Sequence, residues 1–187
     1  NTFIGHNAGS GNWTTATSNY NVGIGSGVML GAMYGAGENI GIGYSALAAL
    51  TTGDGNIALG FQSGDAITSE SNITLLGHRA GSAINNAAAN GTVAVGKDAL
   101  LIQTTGVGNT AVGFQAGDAL EDGTKNTLIG YGTDAGSSGA LNQTAIGYGC
   151  TAVDTHHSVT LGNDNVTAVY MSSDGGAQVS CGTLGIG

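Results

Sequence analysis

The sequence predicts an all-β protein, a parallel β-solenoid or β-roll of about ten coils with about 17 residues each. Three observations predict it: a repeat that runs through most of the chain, an aliphatic and β-branched pattern beside one glycine of each repeat, and the absence of proline. A unit this short cannot bury its own apolar side chains, so it must stack on its neighbours. Proline would remove a hydrogen-bond donor from such a stack.

The repeat is aligned on one glycine, here called the anchor. Successive anchors are separated by 20, 18, 17, 17, 19, 17, 17, 17 and 15 residues. Glycine is unusually frequent, at 36 of 187 residues, but it has no three-residue period and is not accompanied by proline, which excludes collagen. The ten anchors are Gly5, Gly25, Gly43, Gly60, Gly77, Gly96, Gly113, Gly130, Gly147 and Gly162.

Residues near the anchor predict a short strand. The residue before every anchor is Ile, Leu or Val, and the residue three before it is Thr, Val or Ile. Positions two apart lie on the same side of a strand, so we predict that both columns face the interior and that the mostly small column between them faces outward. A second short strand is expected after the anchor. A small residue three after the anchor continues the inward face, and Cys150 occupies this alanine position.

Asparagine recurs four residues before the anchor. Its side chain bonds to nearby backbone at turns, and stacked asparagines can form a ladder of amide hydrogen bonds. We therefore predict that these residues, like the anchor glycines, have a structural role in the repeat. They are Asn1, Asn21, Asn39, Asn56, Asn109 and Asn126.

The pattern divides the chain into a β-solenoid domain, residues 1–162, and a C-terminal segment, residues 163–187. Two short alternating stretches at 166–171 and 177–181, separated by SSDGG, predict a β-hairpin or transition segment that closes the stack. The sequence begins inside a repeat, and we expect it to be part of a longer polypeptide.

Composition argues against several classes of function. The net charge is −9 and only three residues are Lys or Arg, which disfavours binding to nucleic acid. Apolar runs are too short for membrane insertion. Glycine-rich fragments such as GIGSG belong to the repeat and do not form a dinucleotide-binding fingerprint, so no cofactor is predicted. An ice-binding surface would need a regular outward array of threonines, whereas the threonine column is predicted to face inward.

The coils NTAVGFQAG, NTLIGYGTDAG and NTFIGHNAG resemble the N-x-x-[IV]-G-x-x-[AS] repeats of two families. One is the Gly-rich repeat region of bacteriophage tail fibres and spikes. The other is the head β-roll of YadA-type trimeric autotransporter adhesins, whose coils are shorter. Residues 158–187 resemble segments that precede a C-terminal chaperone in phage fibres, which favours the first family.

The phage resemblance implies a homotrimer in the tail fibre of a virion, outside the cell. Such a protein is structural and binds the host, with a host cell-surface glycan or protein and neighbouring fibre segments as its partners. The alternative is the head domain of a bacterial surface adhesin, or an extracellular filament subunit, located at the bacterial cell surface. A further alternative, which the resemblance favours less, is a tailspike that degrades glycans.

Catalytic and metal-binding candidates are few. Paired carboxylates could cleave glycans, but Asp65 and Asp118 recur with the repeat, so we interpret them as turn caps and predict no enzyme. His156 and His157 are adjacent, so one per chain could face a trimer axis and bind a metal ion. The alternative is a solvated loop, and no metal site is predicted.

Receptor-binding candidates lie where the repeat is interrupted. Trp13, Tyr20 and Tyr34 lie in or beside the long segments 10–20 and 28–38, outside the repeat columns. Loops of variable length often form the binding face of a solenoid, and aromatic side chains anchor protein and sugar contacts. We predict that these three residues bind the receptor; the alternative is that they cap the first coils.

Overall fold

A computed structural model describes residues 1–11 and 17–169. Its ten strands of three residues each form one parallel sheet in chain order. The fold is therefore a β-solenoid of about nine turns with about 17 residues per coil, as the repeat predicts. The strands are β1 Thr2–Ile4, β2 Val22–Ile24, β3 Ile40–Ile42, β4 Ile57–Leu59, β5 Thr74–Leu76, β6 Val93–Val95, β7 Thr110–Val112, β8 Thr127–Ile129, β9 Thr144–Ile146 and β10 Val159–Leu161. Within residues 1–11 and 17–169, one 3₁₀ turn, Ala87–Ala89, lies between β5 and β6.

Each strand covers the three residues before an anchor and pairs in register with the next strand. Thr110 lies opposite Thr127, and Val112 lies opposite Ile129. The predicted second strand is wrong for the described coils, since the residues after the anchor form turns. The cause is backbone handedness: the residue two after the anchor adopts a left-handed conformation, as at Gln115 with φ of 51°, and this turns the chain out of the sheet.

The facing of the strand columns is the reverse of the prediction. In β2 to β9 the middle residue is buried, and Ala111 and Leu128 are completely inaccessible to solvent. The flanking aliphatic side chains point outward, and Ile129 remains 37% exposed. The small column thus lines the interior. The β-branched residues on either side reflect the strand conformation that they favour, not burial.

Large side chains from the turns explain why the sheet contributes mostly small ones. Leu100, from the turn after the sixth anchor, is fully buried. Where the sheet contributes a leucine, the turn of the preceding coil contributes a glycine, as Gly64 does beside Leu75 and Gly117 beside Leu128. A Cβ atom at Gly117 would lie 2.7 Å from Leu100 Cδ2 and 2.9 Å from Leu128 Cδ1. The inward position three after the anchor is as predicted, and Cys150 there is fully buried.

The predicted asparagines form a hydrogen-bonded ladder along one corner of the solenoid. Asn109 Oδ1 accepts hydrogen bonds from the backbone N and from Nδ2 of Asn126, at 2.9 and 3.1 Å. Asn126 Oδ1 in turn accepts from the backbone N of Gln143 at 2.9 Å, while its Nδ2 donates to the carbonyl of Ala140 at 2.8 Å. Asn21, Asn39 and Asn56 repeat this arrangement in the early coils. The ladder thereby satisfies buried backbone groups between successive coils.

The ladder is interrupted where Ile73 replaces the asparagine. In the next coil, Thr92 Oγ1 donates to the carbonyl of Ala89 at 2.8 Å. Gln103 Nε2 donates to Thr92 Oγ1 at 3.2 Å and to the carbonyl of Gly106 at 3.0 Å. Thr92 and Gln103 therefore provide the donors that an asparagine provides elsewhere.

The anchor glycine is required by close approach of the coils. Gly113 has φ of 142°, a backbone conformation that side chains rarely adopt. A Cβ atom there would lie 2.2 Å from the carbonyl oxygen of Gly130 in the next coil.

Part of the predicted C-terminal hairpin lies outside the described residues. Of the segment 163–187, only residues 163–169 are described, and they contain no strand.

Candidate functional site

The outward side of the sheet is an apolar surface, here called the aliphatic face. It consists of the first and third residues of each strand, which are Thr, Val, Ile or Leu without exception. None of these twenty side chains is buried, and Ile4, Ile129 and Ile146 are 59%, 37% and 40% exposed. The face has no charged residue. It presents one continuous, uncharged and largely aliphatic strip along the described solenoid, with threonine at five of its twenty positions.

A column of ring side chains follows the anchor glycines beside the aliphatic face. Tyr44 and Phe61 stack with ring centroids 5.2 Å apart, and Phe61 stacks on His78 at 5.1 Å. A second group continues from Phe114 through Tyr131 to Tyr148, with centroid distances of 4.9 and 5.4 Å. Because the rings stack on one another, this aromatic column presents mainly ring edges to solvent.

Lys97 joins the two groups of rings and belongs to a charged cluster. Its Nζ lies 5.2 Å from the centroid of Phe114 and 2.5 Å from Asp98 Oδ2. Arg79 Nε lies 2.9 Å from Asp98 Oδ1, and His78 Nδ1 lies 3.8 Å from the same oxygen. Burial alone would raise the pKa of Asp98, but the hydrogen bonds and charges of Lys97 and Arg79 hold it below its ordinary value. The arrangement is a buried carboxylate neutralised by cations.

The remaining aspartates of interest lie in the turns after the anchors. Burial raises the pKa of Asp65, Asp118 and Asp134 above the ordinary value, and the nearby charge of Asp98 adds to the increase at Asp118. Asp134 Oδ1 accepts a hydrogen bond from the backbone N of the next residue, Ala135, at 2.8 Å. Asp65 lies three coils before Asp118, so these two near-identical turns do not form one site.

The two histidines occupy regular corner positions of the last coil. His156 Nδ1 accepts a hydrogen bond from the backbone N of Leu141 at 3.1 Å. His157 Nδ1 lies 3.0 Å from Asn142 Nδ2. Each ring therefore contacts the preceding coil through Nδ1. Across the residues that the structure describes, no three side chains of His, Cys, Asp or Glu come together as metal ligands.

Two of the three receptor candidates, Tyr20 and Tyr34, belong to the described residues, and both are exposed. Trp13 lies outside the described residues. Tyr34 is exposed, and its backbone N donates to the carbonyl of Thr51 at 2.6 Å. Tyr20 is 78% exposed and borders a depression of about 320 Å³. Its lining residues are Thr17, Asn19, Tyr20, Gly35, Gly37, Glu38 and Asp54.

Sequence reasoning missed Glu38 and Asp54 as neighbours of Tyr20. They come from the two following coils, 18 and 34 residues further along the chain. Glu38 occupies the repeat position of Tyr20, so an alignment extended to this corner could have paired them. A second depression, of about 440 Å³, lies at the other end of the solenoid beside Val153, Thr160 and Asp164.

Comparisons with protein-family models, with curated proteins and with solved structures find no match for this chain. Among the described residues, no helix is long and apolar enough to cross a membrane.

Proposed function

We propose that this chain is a structural, host-receptor-binding segment of a bacteriophage tail fibre and assembles as a homotrimer through its aliphatic face. It would then be located in the virion, outside the cell, and would contact neighbouring fibre segments and a glycan or protein of the host surface. The observation that carries the proposal is the uncovered aliphatic face on a rod of stacked coils. Large exposed apolar patches on soluble proteins mark interaction sites.

The size of the face is sufficient for a specific interface. Ten strands spaced by about 4.8 Å extend it for about 43 Å, and its two columns lie about 7 Å apart along each strand. With the side chains included, the face covers on the order of 600 Å², at the upper end for patches on monomers. Three such faces around the axis of a trimer together bury up to about 1,800 Å², which exceeds the roughly 1,200 Å² at which specific protein interfaces begin.

The pattern of the face favours a second copy of the same chain as its partner. Rows of Ile, Val, Leu and Thr side chains recur with the spacing of the strands, and another copy presents the same spacing. The net charge of −9 is carried outside the face, so identical copies meet there without facing like charges. The proposal of three chains in the assembly rests on the resemblance to tail fibres and to trimeric autotransporter heads.

Sedimentation equilibrium tests the assembly. The expected mass is three times the 18.2 kDa of one chain, and a monodisperse monomer would refute the proposal. Ile129→Asp places a charge in the face and should shift the equilibrium toward monomer. The matched control is Ile102→Asp, because Ile102 is similarly exposed, at 43%, but lies in a turn away from the strands.

Attachment and the alternative function need separate measurements. Fluorescently labelled trimer should bind intact cells of a bacterial host, and absence of binding across a panel of hosts would contradict the receptor-binding role. The head of a bacterial surface adhesin is the second candidate, since the same repeats resemble both families. The flanking gene sequence distinguishes them: a C-terminal chaperone supports the fibre, and a coiled coil with a membrane anchor supports the adhesin.

A further inference from the structure

We infer that the depression bounded by Tyr20, Glu38 and Asp54 binds a neutral saccharide. This inference rests on the proposed host-binding function and gives its receptor site a location and a ligand class. The depression lies among the first coils, beside the two segments that depart most from the repeat.

The walls of the depression are fixed by hydrogen bonds between coils. The backbone N of Glu38 donates to the carbonyl of Asn19 at 3.0 Å, and the backbone N of Gly37 donates to Asp54 Oδ1 at 2.6 Å. On another side, the backbone N of Gly35 donates to Ser18 Oγ at 3.1 Å. The described walls of the site are therefore preorganised, and a ligand would bind without ordering them.

The side chains at the rim are not needed to form the corner. Tyr20 and Glu38 both have φ of 61°, a left-handed conformation that favours glycine and asparagine. The same corner position is Gly or Asn in five other coils, and in the remaining described coils Lys125 and His157 have the same conformation with a larger side chain. Tyr20 and Glu38 are consecutive in this column and both exposed, so they present an aromatic ring and a carboxylate side by side. The five glycines and asparagines are Gly55, Asn72, Gly91, Gly108 and Asn142.

The chemistry of the lining selects the ligand class. Carboxylates of Glu38 and Asp54 accept hydrogen bonds from hydroxyl groups, and the ring of Tyr20 offers an apolar surface for the C–H groups of a sugar. None of the described residues that line the depression is Lys, Arg or His, and the chain carries a net charge of −9, so an anionic sugar would be repelled. The volume of about 320 Å³ is at the small end for ligand sites, which suits one or two sugar rings.

Saturation-transfer NMR on the full chain tests the inference. The probes are the methyl glycosides of glucose, galactose, mannose and N-acetylglucosamine, with methyl glucuronoside as the anionic comparison. Concentrations up to about 10 mM detect even millimolar affinity. We expect at least one neutral glycoside to bind and the glucuronoside to bind at least tenfold more weakly. No binding by any neutral probe, or tighter binding of the glucuronoside, overturns the inference.

Three variants locate the site without compromising the fold. Tyr20→Asn and Glu38→Asn introduce the residue that Asn72 and Asn142 place at this corner, so their melting temperatures should be no lower than that of the wild type. We expect Tyr20→Asn to weaken saccharide binding at least tenfold and Glu38→Asn at least threefold. Lys125→Asn is the control, because Lys125 has the same conformation, with φ of 59°, far from the depression. Unchanged binding in Tyr20→Asn, or equal loss in Lys125→Asn, refutes the location.

The outcome separates this inference from the proposed function. A wild-type trimer that binds host cells but no neutral glycoside contradicts the saccharide site and leaves the fibre proposal standing. A chain that neither trimerises nor binds cells contradicts the fibre proposal, whatever its behaviour toward sugars.

Discussion

Replacement of one rung of the asparagine ladder tests how strongly the ladder holds neighbouring coils together. Asn126→Leu keeps a similar side-chain volume in a fully buried position but removes the acceptor Oδ1 and the donor Nδ2. The backbone N of Gln143 then loses its acceptor. The two acceptors that lose Asn126 Nδ2 each keep another donor. Asn109 Oδ1 still accepts a hydrogen bond from the backbone N of residue 126, and the carbonyl of Ala140 still accepts one from the backbone N of Thr124 at 2.8 Å.

The magnitude follows from these three groups. A buried N–H left without an acceptor costs about 1–3 kcal/mol, and the loss of one of two donors at each remaining acceptor costs about 0.5 kcal/mol. The expected decrease in the free energy of unfolding is therefore about 3 kcal/mol. For a chain of this size, that decrease lowers the melting temperature by about 6–12 °C.

Urea denaturation followed by circular dichroism, at one fixed protein concentration, measures the loss. Asn85→Leu is the matched control, because Asn85 is exposed and lies outside the ladder. A loss below about 0.5 kcal/mol for Asn126→Leu, or a loss equal to that of the control, would refute the role of the ladder.

Asn126→Asp adds a test of sign. Burial should raise the pKa of the new carboxyl group in the folded state, so the folded state binds more protons than the unfolded state. The stability of this variant should therefore increase relative to the wild type as the pH falls from about 7 to about 4. If the difference in stability between the variant and the wild type did not change with pH, the introduced carboxylate would not be buried.

Two further predictions concern backbone approach and charge. Gly113→Ala should lose at least about 2 kcal/mol more stability than Gly108→Ala, because a Cβ atom at Gly113 meets a carbonyl at 2.2 Å while at Gly108 it meets nothing within 4 Å; equal losses in urea denaturation would contradict the clash. Asp98→Asn should lower the melting temperature near pH 7, with the difference disappearing as the pH falls below about 4, because a lowered pKa stabilises the fold only while the group is ionised. Asp118→Asn should raise the melting temperature near pH 7, because burial raises the pKa of Asp118 and the ionised carboxylate therefore destabilises the fold. Melting curves of both variants across this pH range test the two directions.

The sequence predicted the strands well because their signal is local. All ten strands lie at the three residues before an anchor, and the register is that of the aligned columns. Which residues of each strand face the interior could not be predicted from such a local pattern. It depends on the left-handed turn at positions such as Gln115 and on leucines such as Leu100 that fill the interior from the other side. Period alone assigns two columns to one side of a strand but does not say which side is buried.

The outward orientation of the first residue of each strand bears on ice binding. An inward-facing threonine column would argue against ice binding, but Thr110, Thr127 and Thr144 face outward on adjacent strands. What still disfavours a threonine array is that Val or Ile occupies this column in five of the ten strands. The depression beside Tyr20 was also beyond the sequence, because its lining residues meet only when three coils stack.

In-register stacking gives the solenoid a length that can change in fixed steps. One more or one fewer coil of about 17 residues would move the two ends apart or together by about 4.8 Å. Every pair of neighbouring strands repeats the same parallel, in-register pairing, so such an insertion leaves the sheet and the aliphatic face continuous. The reach of the rod can therefore be adjusted independently of the residues that bind at its loops.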